Sequence, residues 1–236
     1  MSDIDVSPAH SGSSPRGDGL VSRRKLIAWC ALVGTLIALA YVGNAAGRPP
    51  EDVLYRYSTT VAILVQYALM LGIVLLIARG VSRETIGFRR PGSWRRAGLL
   101  TGASLLAIWA AAWVLNFVLD AGEEQGLVPD EWDPSRAGPF VANFVVIAGV
   151  APIVEETTYR GLGFAAVRSS YGALAAVLVT GVAFGLSHGL LAALPVLSLF
   201  GIILAWLRWK TDSVYPPIVL HAIFNAAALL AAVTIA

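Results

Sequence analysis

Residues 140–168 read FVANFVVIAGVAPIVEETTYRGLGFAAVR, an apolar run that carries two adjacent carboxylates, Glu155 and Glu156, and an arginine, Arg160. About 29 residues of α-helix extend roughly 43 Å, more than the hydrocarbon core of about 30 Å, so this run must tilt, protrude or break. Pro152 offers a kink, and Gly161 and Gly163 offer a bend or an end, so the acids lie beside weakened helix. Charge at membrane depth is costly, and its default reading is a functional site.

The rest of the chain supports a bilayer as its solvent. Of 236 residues, 57% are hydrophobic and 14% charged, against about 25% charged in an ordinary soluble domain. Further apolar segments run from Leu26 to Ala46, Val53 to Ala78, Ala97 to Leu119, Ala173 to His188, Leu191 to Trp209, and Pro217 to the C-terminus. At about 20 residues per span these predict an all-α, polytopic bundle of about seven transmembrane helices. The net charge of +2 is too small to suggest nucleic-acid binding. Cys30 is the only cysteine, which excludes an intrachain disulfide and a thiolate metal cage.

Residues 1–22 are rich in Ser, Gly, Pro and Asp without periodicity and are expected to form a disordered tail that includes His10. The transmembrane domain then occupies residues 23–236. Ser22 to Lys25 faintly resemble a twin-arginine signal, but the run from Leu26 to Ala46 has the length of a span. Lys and Arg gather before the first helix and in the link from Arg79 to Arg96, whereas the link from Asp120 to Asp133 is acidic. By the positive-inside rule the N-terminus is cytoplasmic, in a multi-pass protein assigned to the plasma membrane.

A hairpin turning near residues 170 and 171 brings Glu155 level with Leu186. His188 then lies about 3 Å further along the axis. Gly181, Gly185 and Gly189 recur every four residues and suit a close helix interface, with Phe184 one turn before His188. Within the fourth segment Glu156 and Arg160 are four apart, the favourable order for an ion pair. That leaves Glu155 as the freer carboxylate, tuned upward by desolvation and by its acidic neighbour, and suited to act as a general base on water. His221 and Asn225 share one face of the last helix, which begins after Tyr215, Pro216 and Pro217. Their N–H groups make a candidate oxyanion hole.

EETTYR fits EExxxR, Phe184 to His188 fits FxxxH, and His221 to Asn225 fits HxxxN. In this order, each in an apolar helix, the motifs resemble the CPBP family, which holds the CAAX prenyl endopeptidases and the Abi proteins of bacteriocin self-immunity. The resemblance covers residues 140–236. It implies an intramembrane endopeptidase in which Glu155 and His188 activate water, His221 and Asn225 form the oxyanion hole, and Glu156, Arg160 and Phe184 support the site. No cofactor is preferred. Zinc is the competing chemistry, with Glu155, His188 and His221 as a His2Glu set, although HExxH spacing is absent. The expected partners are the lipid bilayer and a membrane-associated peptide or protein substrate, prenylated or not. The oligomeric state is left open. Alternatives from other classes are a non-proteolytic, self-immunity-like membrane partner and a proton-coupled transporter. The latter lacks a recognisable repeat.

Overall fold

The computed structural model describes residues 21–47, 52–119 and 132–234. The tail through residue 20, with His10, and the acidic link from Asp120 to Glu131 lie outside the described residues. Eight α-helices order the described residues: α1 (Arg23–Ala45), α2 (Tyr57–Ile77), α3 (Trp94–Leu119), α4 (Ala137–Val145), α5 (Ala151–Glu156), α6 (Phe164–Leu186), α7 (Leu194–Thr211) and α8 (Tyr215–Thr234). Two π-helical segments, Val146–Val150 and Thr157–Gly163, join α4, α5 and α6 without a break.

Among the described residues six helical runs are long and apolar enough to cross a membrane. The longest, Pro134–Leu186, has 53 residues and breaks at Gly172, where φ is 83° and ψ is 174°. Glycine suits this left-handed backbone because it lacks a Cβ. The chain reverses there. Tyr159 and Phe184 would be roughly 37 Å apart on one straight helix, yet their rings meet edge to face at 5.5 Å. With this hairpin resolved into two passes the bundle makes the seven expected from the sequence, and the turn falls one or two residues later than anticipated.

The core is arranged for lipid. Leu39, Val42, Val61, Leu69, Leu76 and Leu106 are exposed on α1 to α3, which suits helices whose outer surface meets acyl chains. Polar groups lie inside: every residue of the second π segment is buried. The chain is an integral, multi-pass membrane protein.

One end of the bundle collects the arginine-rich links. The Val21 N–H donates to Ser169 Oγ at 3.1 Å, Lys25 Nζ to the Ile77 carbonyl at 2.7 Å, and the Val214 N–H to the Gly87 carbonyl at 2.9 Å. The other end joins Asn44 to the Gly189 carbonyl at 3.0 Å and Asn143 to the Leu54 carbonyl at 2.9 Å. Arg208 is buried at the first end, its Nη1 on Asp212 Oδ1 at 3.0 Å and its Nε on the Arg160 carbonyl at 3.2 Å.

The glycine series packs differently from the expectation. A Cβ on Gly181 would meet the Ile202 amide nitrogen at 2.6 Å, and one on Gly185 would meet the Ser198 amide nitrogen at 2.8 Å. Both contacts are with α7, so these glycines seat α6 on α7 and not on the acid-bearing helix. Gly189, with a φ of 70°, lies against Ala40 of α1. A small-xxx-small pattern states that one helix face approaches a neighbour closely; it does not say which neighbour.

Candidate active site

The acid-bearing helix is widened on both sides of the carboxylates. Pro152 has no N–H and cannot complete a regular ladder; in the preceding π segment the Ala151 N–H reaches back to the Val146 carbonyl. The next carbonyl, Ile147, has as its π-helical partner residue 152, the proline. Asn225 of α8 fills that position, donating its Nδ2 to Ile147 O at 3.0 Å. Beyond the acids, the Phe164 N–H bonds the Tyr159 carbonyl five residues back. Carbonyls of this second segment are likewise tied from other helices: Trp29 Nε1 of α1 donates to Thr158 O at 2.9 Å, and Arg208 of α7 to Arg160 O. The proline and glycines read as a kink and an end therefore produce two π segments, a feature frequent at functional sites.

Glu156 and Arg160 form the expected pair. Arg160 Nη1 lies 3.0 Å from Glu156 Oε1, and both side chains are fully buried. Nη2 donates to the Gly201 carbonyl at 2.8 Å, and the guanidinium lies 4.6 Å from the Phe184 ring centre. Glu156 Oε1 has a second partner, His221 Nδ1, at 2.9 Å. A carboxylate only accepts, so Nδ1 carries the proton. The other ring nitrogen, Nε2, faces Glu155 Oε2 at 3.8 Å.

Glu155 is thus held between two helices. Its Oε1 accepts a short hydrogen bond from the Tyr67 hydroxyl of α2, while Oε2 is buried without a hydrogen-bond partner. A gap of 3.8 Å is long for a direct hydrogen bond and suits two groups that share one water at about 2.8 Å from each. The expected direct meeting of Glu155 with His188 is not made: among the described residues no hydrogen bond or ion pair joins them. His188 lies just past the end of α6, and its Nδ1 folds back onto the Phe184 carbonyl at 2.8 Å, leaving Nε2 free of that turn. The Phe184 ring holds both imidazoles, with centroids 4.7 Å from His188 and 5.6 Å from His221.

Arg160, His188 and His221 therefore gather around the Phe184 ring, and the pairings differ from those expected. His221 bridges the two glutamates, and Asn225 secures the helix that carries them. Among the described residues no three His, Cys, Asp or Glu side chains converge closely enough to share a metal ion. Tyr67 and Trp29 escaped sequence reading. Each is one aromatic in an apolar helix, indistinguishable by pattern from a lipid-facing ring.

Residues 137–227 match the family described as type II CAAX prenyl endopeptidase Rce1-like. Over 195 residues, 80% of this chain and 78% of the relative, the sequence is 27% identical to "Putative membrane peptidase YdiL" of Bacillus subtilis (strain 168). No solved structure matches. The family match covers all three motifs, whereas Tyr67 and Trp29 lie outside it.

Proposed function

We propose that this chain is a CPBP-type intramembrane endopeptidase that hydrolyses peptide bonds with water activated at Glu155. The family match and the peptidase relative support membrane proteolysis in general. The observation that carries the finer reading is the chain Glu156 Oε1 to His221 Nδ1 at 2.9 Å and His221 Nε2 to Glu155 Oε2 at 3.8 Å.

In this reading Arg160 neutralises Glu156, and Glu156 fixes the His221 tautomer so that Nε2 faces the reaction, as a buried carboxylate does for a catalytic histidine elsewhere. Glu155 accepts a proton as the water oxygen attacks the scissile carbonyl carbon. His221 Nε2, unprotonated in this tautomer, accepts a hydrogen bond from the attacking water and helps to aim it; the oxyanion role that the motif resemblance implies for His221 with Asn225 would require a second proton on that nitrogen. Asn225 contributes by anchoring the Ile147 turn. Collapse of the tetrahedral intermediate breaks the C–N bond as the Glu155 proton passes to the leaving nitrogen. His188 Nε2 completes the polar lining and assists in orienting the water. Tyr67 steadies Glu155 through Oε1.

The substrate class is a membrane-associated peptide or protein, with the active face reached within the bilayer. The test uses purified protein in lipid nanodiscs with a cleavable membrane peptide. Glu155→Gln, inserted and folded normally, should lose about 10²- to 10⁴-fold in rate, the usual worth of a general acid–base group. Wild-type activity should survive exhaustive chelation. Activity lost to chelation and regained with zinc would overturn the metal-free mechanism.

A further inference from the structure

At the arginine-rich end of the bundle, the loop entering α3 and the end of α7 enclose a cleft of about 550 Å³ that neither Glu155 nor Glu156 lines. Its walls carry Arg89, Arg90, Arg96 and Lys210, with Asp212 as the one acid. That acid is already engaged. Arg208 Nη1 lies 3.0 Å and Arg168 Nη1 3.6 Å from Asp212 Oδ1, while Arg89 pairs with Oδ2 and donates its Nε to the Asp212 carbonyl at 2.9 Å. Among the described residues Arg90, Arg96 and Lys210 have no carboxylate within ion-pair distance. Three cations therefore share a cleft whose only acid is saturated by others.

The cleft also lies at a defined depth. Lys210 Nζ sits 4.5 Å from the Trp209 ring centre and 6.0 Å from that of Trp206, and Trp94 is exposed at the start of α3 beside it. Tryptophans gather where acyl chains give way to headgroups. Unpaired guanidinium and ammonium groups at that level match a phosphate, which arginine binds through its planar fork and lysine as a point charge.

We propose that this cleft binds the phosphate of an anionic phospholipid headgroup, anchoring the α2–α3 link and the end of α7 to the leaflet on the arginine-rich face. The chemistry it recognises is a phosphate ester or phosphate anion, and a free phosphate ion is the other source of that group. The proposal is independent of the proteolytic reading.

Native mass spectrometry of the full-length protein in detergent, titrated with phosphatidylglycerol or phosphatidylcholine of identical acyl chains, tests it. Phosphatidylglycerol should bind preferentially, and Arg90→Gln, Arg96→Gln and Lys210→Gln should each weaken it about fivefold. Arg95→Gln removes the same charge next door but outside the cleft, and should leave the affinity nearly unchanged. Competition by millimolar inorganic phosphate would assign the site to the free ion; its absence assigns it to the headgroup. Equal binding of the two lipids, or an Arg95→Gln loss matching that of Arg96→Gln, would overturn the proposal.

Discussion

Replacing Glu156 with glutamine keeps the shape of the side chain and its Oε1 acceptor but removes a charge that two donors share. Glu156 and Arg160 are both fully buried. The variant leaves the Arg160 guanidinium in the interior without an anionic partner, held only by neutral acceptors such as the Gly201 carbonyl, and with Nε already unpaired. Breaking a buried pair from one side costs about 3–5 kcal/mol. At about 2–4 °C per kcal/mol for a chain of this size, the apparent melting temperature should fall by roughly 6–20 °C. The same change acts on His221. A glutamine amide can donate to Nδ1, which moves the imidazole proton to Nε2 and removes the acceptor that faces Glu155. In a Ser-His-Asp triad the analogous exchange of carboxylate for amide costs about 10⁴ in kcat. Thermal unfolding in detergent followed by tryptophan fluorescence, alongside peptide cleavage in nanodiscs, reads both effects. The double variant Glu156→Gln/Arg160→Met removes both charges and should recover much of the stability without recovering activity. A Glu156→Gln protein with unchanged melting and unchanged rate would refute the reasoning, as would a double variant that regains activity.

Tyr67→Phe deletes one hydrogen bond to a carboxylate, worth about 1.5–3 kcal/mol; cleavage should slow about 10- to 100-fold, while melting moves by only a few degrees. Gly181→Ala places a Cβ 2.6 Å from the Ile202 amide nitrogen, a backbone atom that cannot swing away. The overpacking should destabilise by about 1–3 kcal/mol, measured as lower melting, with kcat retained in the folded fraction. On the face opposite the arginine cluster, the Ser135 hydroxyl and then Arg136 hold the Asp133 carboxyl down to about 2. Because the folded value is depressed, its contribution to order at the start of the fourth pass is present above the ordinary carboxylate range and is lost as pH falls through about 2. Carboxyl carbon shifts of labelled Asp133 should titrate there, and a midpoint near 4 would contradict the contact geometry.

Much of this architecture is legible without coordinates because the membrane simplifies the reading. Span length sets the number of passes, and the length of the 140–168 run signals an irregular helix. Spacing alone pairs Glu156 with Arg160, since residues four apart share a face whatever surrounds them. Counting back from the turn brings the level of Glu155 to that of Phe184 and His188. Directions around each helix are less accessible. In apolar spans, inward and outward faces carry similar residues, so the sequence does not show that Gly181 and Gly185 face α7, that Tyr67 faces Glu155, or that Trp29 is buried among exposed tryptophans. The π segments add a rotation that a count at 100° per residue misses. In the structure Asn225 bonds the Ile147 carbonyl, and His221 faces Glu155, the place that the hairpin count gives to His188.

If Glu155 activates water to cut peptide bonds in the membrane, cleavage there must depend on its carboxylate. The most direct measurement is the quantitative mapping of new protein N-termini in membranes from cells expressing wild-type protein or Glu155→Gln at equal, correctly inserted levels. Wild-type membranes should contain a set of new N-termini near membrane segments, with the intact precursors accumulating in the variant. Identical N-termini and precursor levels in the two membranes would contradict the claim.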